Sequence, residues 1–306
     1  MADSNAQYVW VDGKLIPENE ALIPITTLGT AGVSLVYEGI RAYWNADARQ
    51  LFVLHLDAHL ERFEQSIRLT RMKQTIPTPT IRAGLLDLLR ANRCAEDVYI
   101  RPFAFVESAA YSSISNDRAH IVINSMPNPA PVQSGRAVHA CISSWMRVAD
   151  NVMPPRVKAS SNYLNSRYAM EEAKRNGYDV ALLLNPSGKV AEAPGACVML
   201  VREGKLITPA ITSGILESIT RETIIRLCRK VLQIEVIERE VDRTELYVAR
   251  EAFLCGTGSE ITPIASVDRF TLGDGAIGPI TQRIATLYQS VARGIDPRYP
   301  EWRTAV

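Results

Sequence analysis

The sequence predicts a mixed α/β (α+β) protein of two domains, and three observations predict it. Its 306 residues suffice for two hydrophobic cores. Short β-branched and aromatic runs alternate with longer segments whose apolar residues recur at helical spacing. One proline-dense stretch, Met126 to Gly135, divides the chain. Prolines at 127, 129 and 131 suit neither a helix interior nor a buried strand, so a stiff connection is expected there. The expected division is a small N-terminal domain over 1–128, a linker over 129–136 and a larger C-terminal domain over 137–306.

The elements follow in order. Tyr8 to Val11 and Lys14 to Ile16 flank Asp12-Gly13, a hairpin signal because the two-residue turn needs positive φ. Gly39 to Trp44 and Gln50 to Leu54 read as two strands around an Asn-Ala-Asp-Ala turn. Leu60, Phe63, Ile67 and Met72 predict a helix from Asp57 to about Met72, and Ile81, Leu85, Leu88 and Leu89 a second from Thr80 to Asn92. Val98 to Val106 and Ala119 to Ile123 are strands. Beyond the linker, Ala137 to Ile142 is a strand. Asn162 to Asn176 is a helix with Leu164, Tyr168 and Ala169 on related faces and Gly177 closing it. Strands are expected at Val180 to Leu184, Ala196 to Val201 and Ile234 to Glu238, and helices at Thr220 to Leu232 and Pro279 to Arg293. There is no internal repeat.

Composition narrows the function. A formal charge of +1 and the lack of any basic run argue against a nucleic-acid partner. No stretch reaches the ~20 apolar residues of a membrane span, and no secretory signal is visible. Five scattered cysteines and four histidines lack metal-ligand spacing, so neither a metal nor a disulfide framework is expected, and a reducing cytoplasm fits.

Lys158 stands out. It is one of seven lysines, heads the segment Lys158-Ala159-Ser160-Ser161-Asn162-Tyr163 just before a helix, and precedes Glu192 by 34 residues. Farther on lie two segments suited to a phosphate. Ser218-Ile219-Thr220-Arg221 opens a helix whose first amides lack internal acceptors. Gly256-Thr257-Gly258-Ser259 follows an apolar run and offers amides and hydroxyls. A lysine amine, a carboxylate and a phosphate-binding turn are what holding pyridoxal phosphate requires. Lys158 would form the imine and then carry a proton, Glu192 would keep the pyridine nitrogen protonated, and Tyr163 would meet the phenolic oxygen. Arg62, on the first predicted helix, could supply a bidentate cation. Taken singly, each has a plainer reading, as a solvated charge, a packed aromatic or an ordinary turn.

Together with Tyr37-Glu38-Gly39-Ile40-Arg41, Tyr99-Ile100-Arg101-Pro102, Ser144-Trp145, Lys158 with Asn162-Tyr163-Leu164, Ile219-Thr220-Arg221 and Gly256-Thr257 with Glu260-Ile261-Thr262-Pro263, the pattern resembles the branched-chain aminotransferase family of fold-type IV pyridoxal-phosphate enzymes. The similarity runs from about residue 8 to residue 290. It implies a two-domain architecture with pyridoxal 5'-phosphate between the domains, Lys158 as the Schiff-base lysine, Glu192 at the pyridine nitrogen and Tyr163 at the phenolate. It assigns the phosphate to Arg62, Ile219, Thr220 and Thr257, and the substrate side to Tyr37, Tyr99, Arg101, Thr257 and Gly258. The implied reaction moves an amino group from leucine, isoleucine or valine to 2-oxoglutarate in two half-reactions. The implied assembly is a homodimer or dimers built into a larger oligomer, with residues 108–116 as a candidate loop capping a neighbour's site.

Two departures from the family pattern bear on substrate. Ala31-Gly32-Val33 replaces a His-Tyr-Gly-like segment, and Ala193-Pro194-Gly195-Ala196-Cys197 replaces a glycine-rich continuation after Glu192. A roomier pocket would accept aromatic amino acids or primary amines; an (R)-amine or D-amino acid transaminase on the same fold is one alternative, and aminodeoxychorismate lyase is a further one. Arg101 could instead pair with an acid across a dimer.

Overall fold

The computed structural model describes residues 7–107, 117–128 and 136–306. The chain divides into two compact units: Met1–Pro129 with Val157–Ser161 and Val291–Val306, and Ala130–Arg156 with Asn162–Ser290. The mixed α/β class holds in both.

The first unit begins with the expected hairpin, β1 (Tyr8–Val11) and β2 (Lys14–Pro17), turning at Asp12 and Gly13 with φ of 46° and 101°. There follow α1 (Leu28–Ser34), β3 (Val36–Tyr37), β4 (Ile40–Asn45), β5 (Gln50–Leu54), α2 (Leu56–Leu69), α3 (Thr78–Ala91), β6 (Val98–Val106) and β7 (Ala119–Pro127). Among the described residues the sheet runs β5-β4-β6-β7-β1-β2, with β3 also on β6 and the C-terminal strand Arg303–Ala305 on the outer edge of β5. Leu60, Phe63 and Ile67 of α2 and Ile81, Leu85 and Leu88 of α3 bury their helical stripes against Ile40, Val53, Ile100 and Ile121 of the sheet. Each such side chain contributes about 1.5–3 kcal/mol of transfer free energy.

Three features of this unit differ from the sequence reading. Strand β7, expected over Ala119 to Ile123, continues to Pro127, the first proline of the proline-dense stretch. Pro127 pairs with Val98 beyond the last residue bonded to β1, so its missing N–H breaks no ladder on that side. Helix α1 has poor helix formers and no apolar stripe to announce it. Residues 291–306 return to this unit through the pairing of Arg303–Ala305 with β5. Pro129, Pro131 and the candidate loop 108–116 lie outside the described residues.

The second unit contains β8 (Val138–Ile142), α4 (Asn162–Arg175), β9 (Val180–Leu182), β10 (Glu192–Ala193), β11 (Ala196–Arg202), β12 (Lys205–Pro209), α5 (Ile219–Leu227), β13 (Val236–Arg239), α6 (Arg243–Tyr247), β14 (Glu251–Gly256), β15 (Glu260–Val267) and β16 (Phe270–Thr271); α7 (Pro279–Ala292) begins in it. Its sheet runs β13-β12-β11-β14-β15-β8-β9, with β10 on β11 and β16 on β15. Val198, Leu200, Ala252, Leu254, Ile264 and Leu246 make one core. Ala169 and Ala173 of α4 pack with Cys141, Ala181 and Leu183 in another. The buried face of α4 is thus built from small residues, whereas Leu164 and Tyr168 are exposed and Tyr168 stacks on Trp145. The helix expected to Leu232 ends at Leu227 and continues as a π-helical turn over Cys228–Leu232, closed by Gln233 at positive φ.

Candidate active site

In the first unit the site is laid out by a break in pairing. Strand β6 bonds β4 through Val98–Ile100 and β3 through Phe103–Ala104. Between them stands Pro102, which has no N–H to offer, and its carbonyl accepts the Glu38 N–H at 2.8 Å. Glu38 and Gly39 therefore cross from β3 to β4 at a place where the strand ladder is interrupted.

The segment carrying Lys158 is fixed beside that crossing. Val157 and Ala159 are buried in the unit's core. Tyr37 N–H donates to the Lys158 carbonyl and Ser160 N–H to the Leu35 carbonyl, both at 2.9 Å. Lys158 N–H donates to Ser66 Oγ on α2 at 3.3 Å, and Ser160 Oγ donates to the Gly32 carbonyl at 2.8 Å. With its backbone held on both sides, the Lys158 ammonium lies 4.7 Å from the centroid of the Tyr37 ring.

Behind it, Glu38 is wholly buried. Its Oε1 accepts from Arg62 Nε at 2.7 Å and its Oε2 from Arg62 Nη2 at 2.8 Å, while His59 Nδ1 lies 2.8 Å from Oε2. Burial alone would raise the Glu38 carboxyl. The Arg62 charge and the hydrogen bonds from His59 and Arg62 outweigh it and hold the group ionised, below the usual carboxylate range. Burial lowers the His59 imidazole, against the pull of Glu38, so His59 is neutral and donates from Nδ1.

Tyr99 and Arg101 alternate with the core positions of β6 and share its other face. The Arg101 guanidinium carbon is 6.0 Å from the Tyr99 ring centroid. Tyr99 lies across Gly39, where an added Cβ would stand 1.7 Å from the Tyr99 hydroxyl oxygen. Lys158, Tyr37, Arg62, Tyr99 and Arg101 are thus all carried on or beside β3, β6 and α2 of this unit.

In the second unit Glu192 is buried at the start of β10. Its Oε1 pairs with Arg147 Nε at 2.8 Å and its Oε2 accepts the Leu216 N–H at 3.1 Å. Arg147, which the sequence reading did not single out, is the buried partner of Glu192. The Leu216 contact ties Glu192 to the segment leading into α5. There Ser218 caps the helix, its Oγ accepting the Arg221 N–H, and Thr220 is buried in the first turn. The Arg221 side chain turns inward to Thr208, the Pro209 carbonyl and Glu238, so the turn offers its amides and hydroxyls, not this cation, to an anion.

Thr257 and Gly258 form the turn from β14 to β15, half-buried and exposed respectively. Gly256, just before it, packs against the turn after β10: a Cβ there would lie 3.1 Å from the Gly195 carbonyl oxygen. Glu192, Ile219, Thr220, Thr257 and Gly258 are accordingly gathered at one end of this sheet. Tyr163 sits in the first turn of α4, and Asn165 Nδ2 of that helix donates to the Met146 carbonyl next to Arg147.

Residues 35–267 match the amino-transferase class IV family. The chain is 37% identical over 300 residues to a probable branched-chain-amino-acid aminotransferase of Aquifex aeolicus, covering 98% of this chain and 96% of that one. It is similar to the branched-chain amino acid aminotransferase of Thermobaculum terrenum solved in its PLP form, at 49% identity and a TM-score of 0.96 over 99% of both chains. It is also similar to the branched-chain aminotransferase of the archaeon Thermoproteus uzoniensis solved with norvaline, at 38% identity and a TM-score of 0.92 over 98% of this chain and 99% of that one.

Proposed function

The chain belongs to the class IV aminotransferase family, and from that premise we propose that it transfers the amino group of leucine, isoleucine or valine to 2-oxoglutarate with pyridoxal 5'-phosphate as cofactor. The residues fit that group. Each chemical handle of the cofactor has a complementary side chain or turn: an amine for its aldehyde, a carboxylate for its ring nitrogen, a phenol for its oxygen, and a capped helix start and a Thr-Gly turn for its phosphate. A Cβ built at Gly195 or Gly258 meets nothing within 4 Å, so both turns leave room beside them. When bound, pyridoxal phosphate supplies an aldehyde that captures amines and a ring that withdraws electrons from the bonds next to them.

The residues divide the work. Lys158 would hold the cofactor through its amine and carry the proton to and from the α-carbon of the amino donor. Glu192, held by Arg147 and the Leu216 amide, would face the ring nitrogen and keep it protonated. Tyr163 donates to the phenolic oxygen. Arg62, Ile219, Thr220 and Thr257 bind the phosphate. Tyr37, Tyr99 and Arg101 face the substrate, with the Thr257-Gly258 backbone receiving its carboxylate.

The observation that carries this reading is Lys158. Its backbone is bonded to β3 and α2, and Ser160 two residues on is bonded to α1, while its ammonium lies over the Tyr37 ring. A second copy of the chain completes the assembly as at least a homodimer. No helix among the described residues is long and apolar enough to cross a membrane, and the five free cysteines suit a cytoplasmic setting.

The test compares L-leucine, D-alanine and (R)-1-phenylethylamine as donors to 2-oxoglutarate, with wild type and Lys158→Ala. L-leucine is expected to react fastest, and Lys158→Ala to abolish both turnover and the visible absorption of the bound cofactor. Preference for the D or (R) donors would overturn the substrate class, and undiminished turnover in Lys158→Ala would overturn the mechanism.

A further inference from the structure

We infer that Glu38, steadied by His59, is a positioning residue that fixes the Arg62 guanidinium for the phosphate of the cofactor. The inference rests on the proposed function and adds two residues to it.

Both oxygens of Glu38 engage one edge of the guanidinium, Oε1 on Nε at 2.7 Å and Oε2 on Nη2 at 2.8 Å. Such a two-point contact sets the plane of the guanidinium as well as its place. Glu38 is itself held. Its backbone N–H is bonded to the Pro102 carbonyl, His59 Nδ1 is 2.8 Å from Oε2, and the Gly39 N–H donates to the same oxygen at 3.3 Å. His59, Arg62 and Ser66 lie at positions i, i+3 and i+7 of α2, so they share a helix face. Ser66 is the residue that accepts the Lys158 N–H. One face of α2 therefore carries the arginine, the histidine that steadies its clamp, and the anchor of the lysine.

Stability alone gives little reason for the clamp. A buried carboxylate–guanidinium pair often contributes no more than apolar side chains of equal volume would. An arginine left to its own rotamers would have to be ordered anew each time it met an anion, and a fixed one would not.

The test titrates the full-length cofactor-free protein with pyridoxal phosphate and, in parallel, with pyridoxal, which lacks the phosphate. Glu38→Gln keeps the shape and removes the charge. It is expected to raise the Kd for pyridoxal phosphate about tenfold and leave that for pyridoxal within about twofold. In an Arg62→Ala background it is expected to change neither. Should Glu38→Gln fail to fold, His59→Gln serves, since it loosens Glu38 without removing the partner of Arg62. Its expected signature is the same selective loss, at about threefold.

Equal loss for both ligands would mean a purely structural role and overturn the inference. Unchanged pyridoxal phosphate binding in the folded variant would overturn it as well. A wild-type protein that takes up neither ligand would overturn the functional reading itself, an outcome distinct from both.

Discussion

Gly39 is glycine because Tyr99 occupies the space a side chain would need. A built Cβ would stand 1.7 Å from the Tyr99 hydroxyl, so Gly39→Ala must push the ring off its place. If Tyr99 lines the substrate side, kcat/KM for L-leucine is expected to fall about tenfold, a loss of about 1.4 kcal/mol of transition-state stabilisation. Thermal unfolding should change little, because the Tyr99 face of β6 is not the core face. An unchanged kcat/KM measured by steady-state kinetics would remove Tyr99 from the pocket. At this scale the sequence is legible where chemistry is local to a motif. Lys158, Glu192 and Thr257 each stand in a short recognisable context, and Glu38 sits inside one. Arg147 does not. Its partner Glu192 is 45 positions away, and nothing near residue 147 distinguishes a buried arginine from a solvated one.

Elements show the same division. The amphipathic helices α2 and α3 and the β1–β2 hairpin are written in periodicity and turn chemistry, and the structure agrees to within a few residues. Strands β12, β14 and β15 are not. Every residue of β14 is buried, so it alternates nothing, and β15 carries Pro263 in a strand paired on both sides. That proline is tolerated because the pairing with β8 begins only at Ile264. The short helix α6 owes its existence to a capping box, in which Asp242 and Glu245 satisfy each other's amides. Hydrogen bonds from Arg239 lead, against burial and with the Asp242 amide and Arg202 adding, in bringing the Glu245 carboxyl down to about 2. A carboxyl depressed on folding stabilises fully above its unfolded value near 4.5 and loses that contribution as pH falls toward 2. Glu245→Gln is therefore expected to cost about 1 kcal/mol at pH 7, discounted for its partial exposure. The wild-type and variant curves should converge only as the pH falls below about 2. Urea unfolding at the two pH values checks this, and a difference that persists in acid would assign the effect to packing.

For the whole molecule, the surface of the first unit points to a second copy. Residues 21–35 contain no charged side chain. Within them Leu22, Ile25 and Val33 are 87%, 80% and 68% exposed, and Ile23 and Leu28 are exposed as well. Single exposed apolar residues need no explanation, but five of them within twelve positions, on an uncharged segment, are what a permanent subunit interface looks like before its partner arrives. Helix α1 lies in this stretch with two glycines and no apolar stripe of its own, so burial against another surface would supply the stabilisation that its propensity lacks. A symmetric dimer buries the same patch on both copies, so two substitutions per chain place four charges in one interface. Leu22→Glu with Ile25→Glu should leave the fold intact, since both side chains already face solvent in the single chain, and should shift the sedimenting species from dimer or its multiples to monomer at micromolar protein. If the proposed capping of each site by its neighbour holds, transamination should fall together with the mass. A wild-type protein that sediments as a fully active monomer would eliminate both the interface and the shared site.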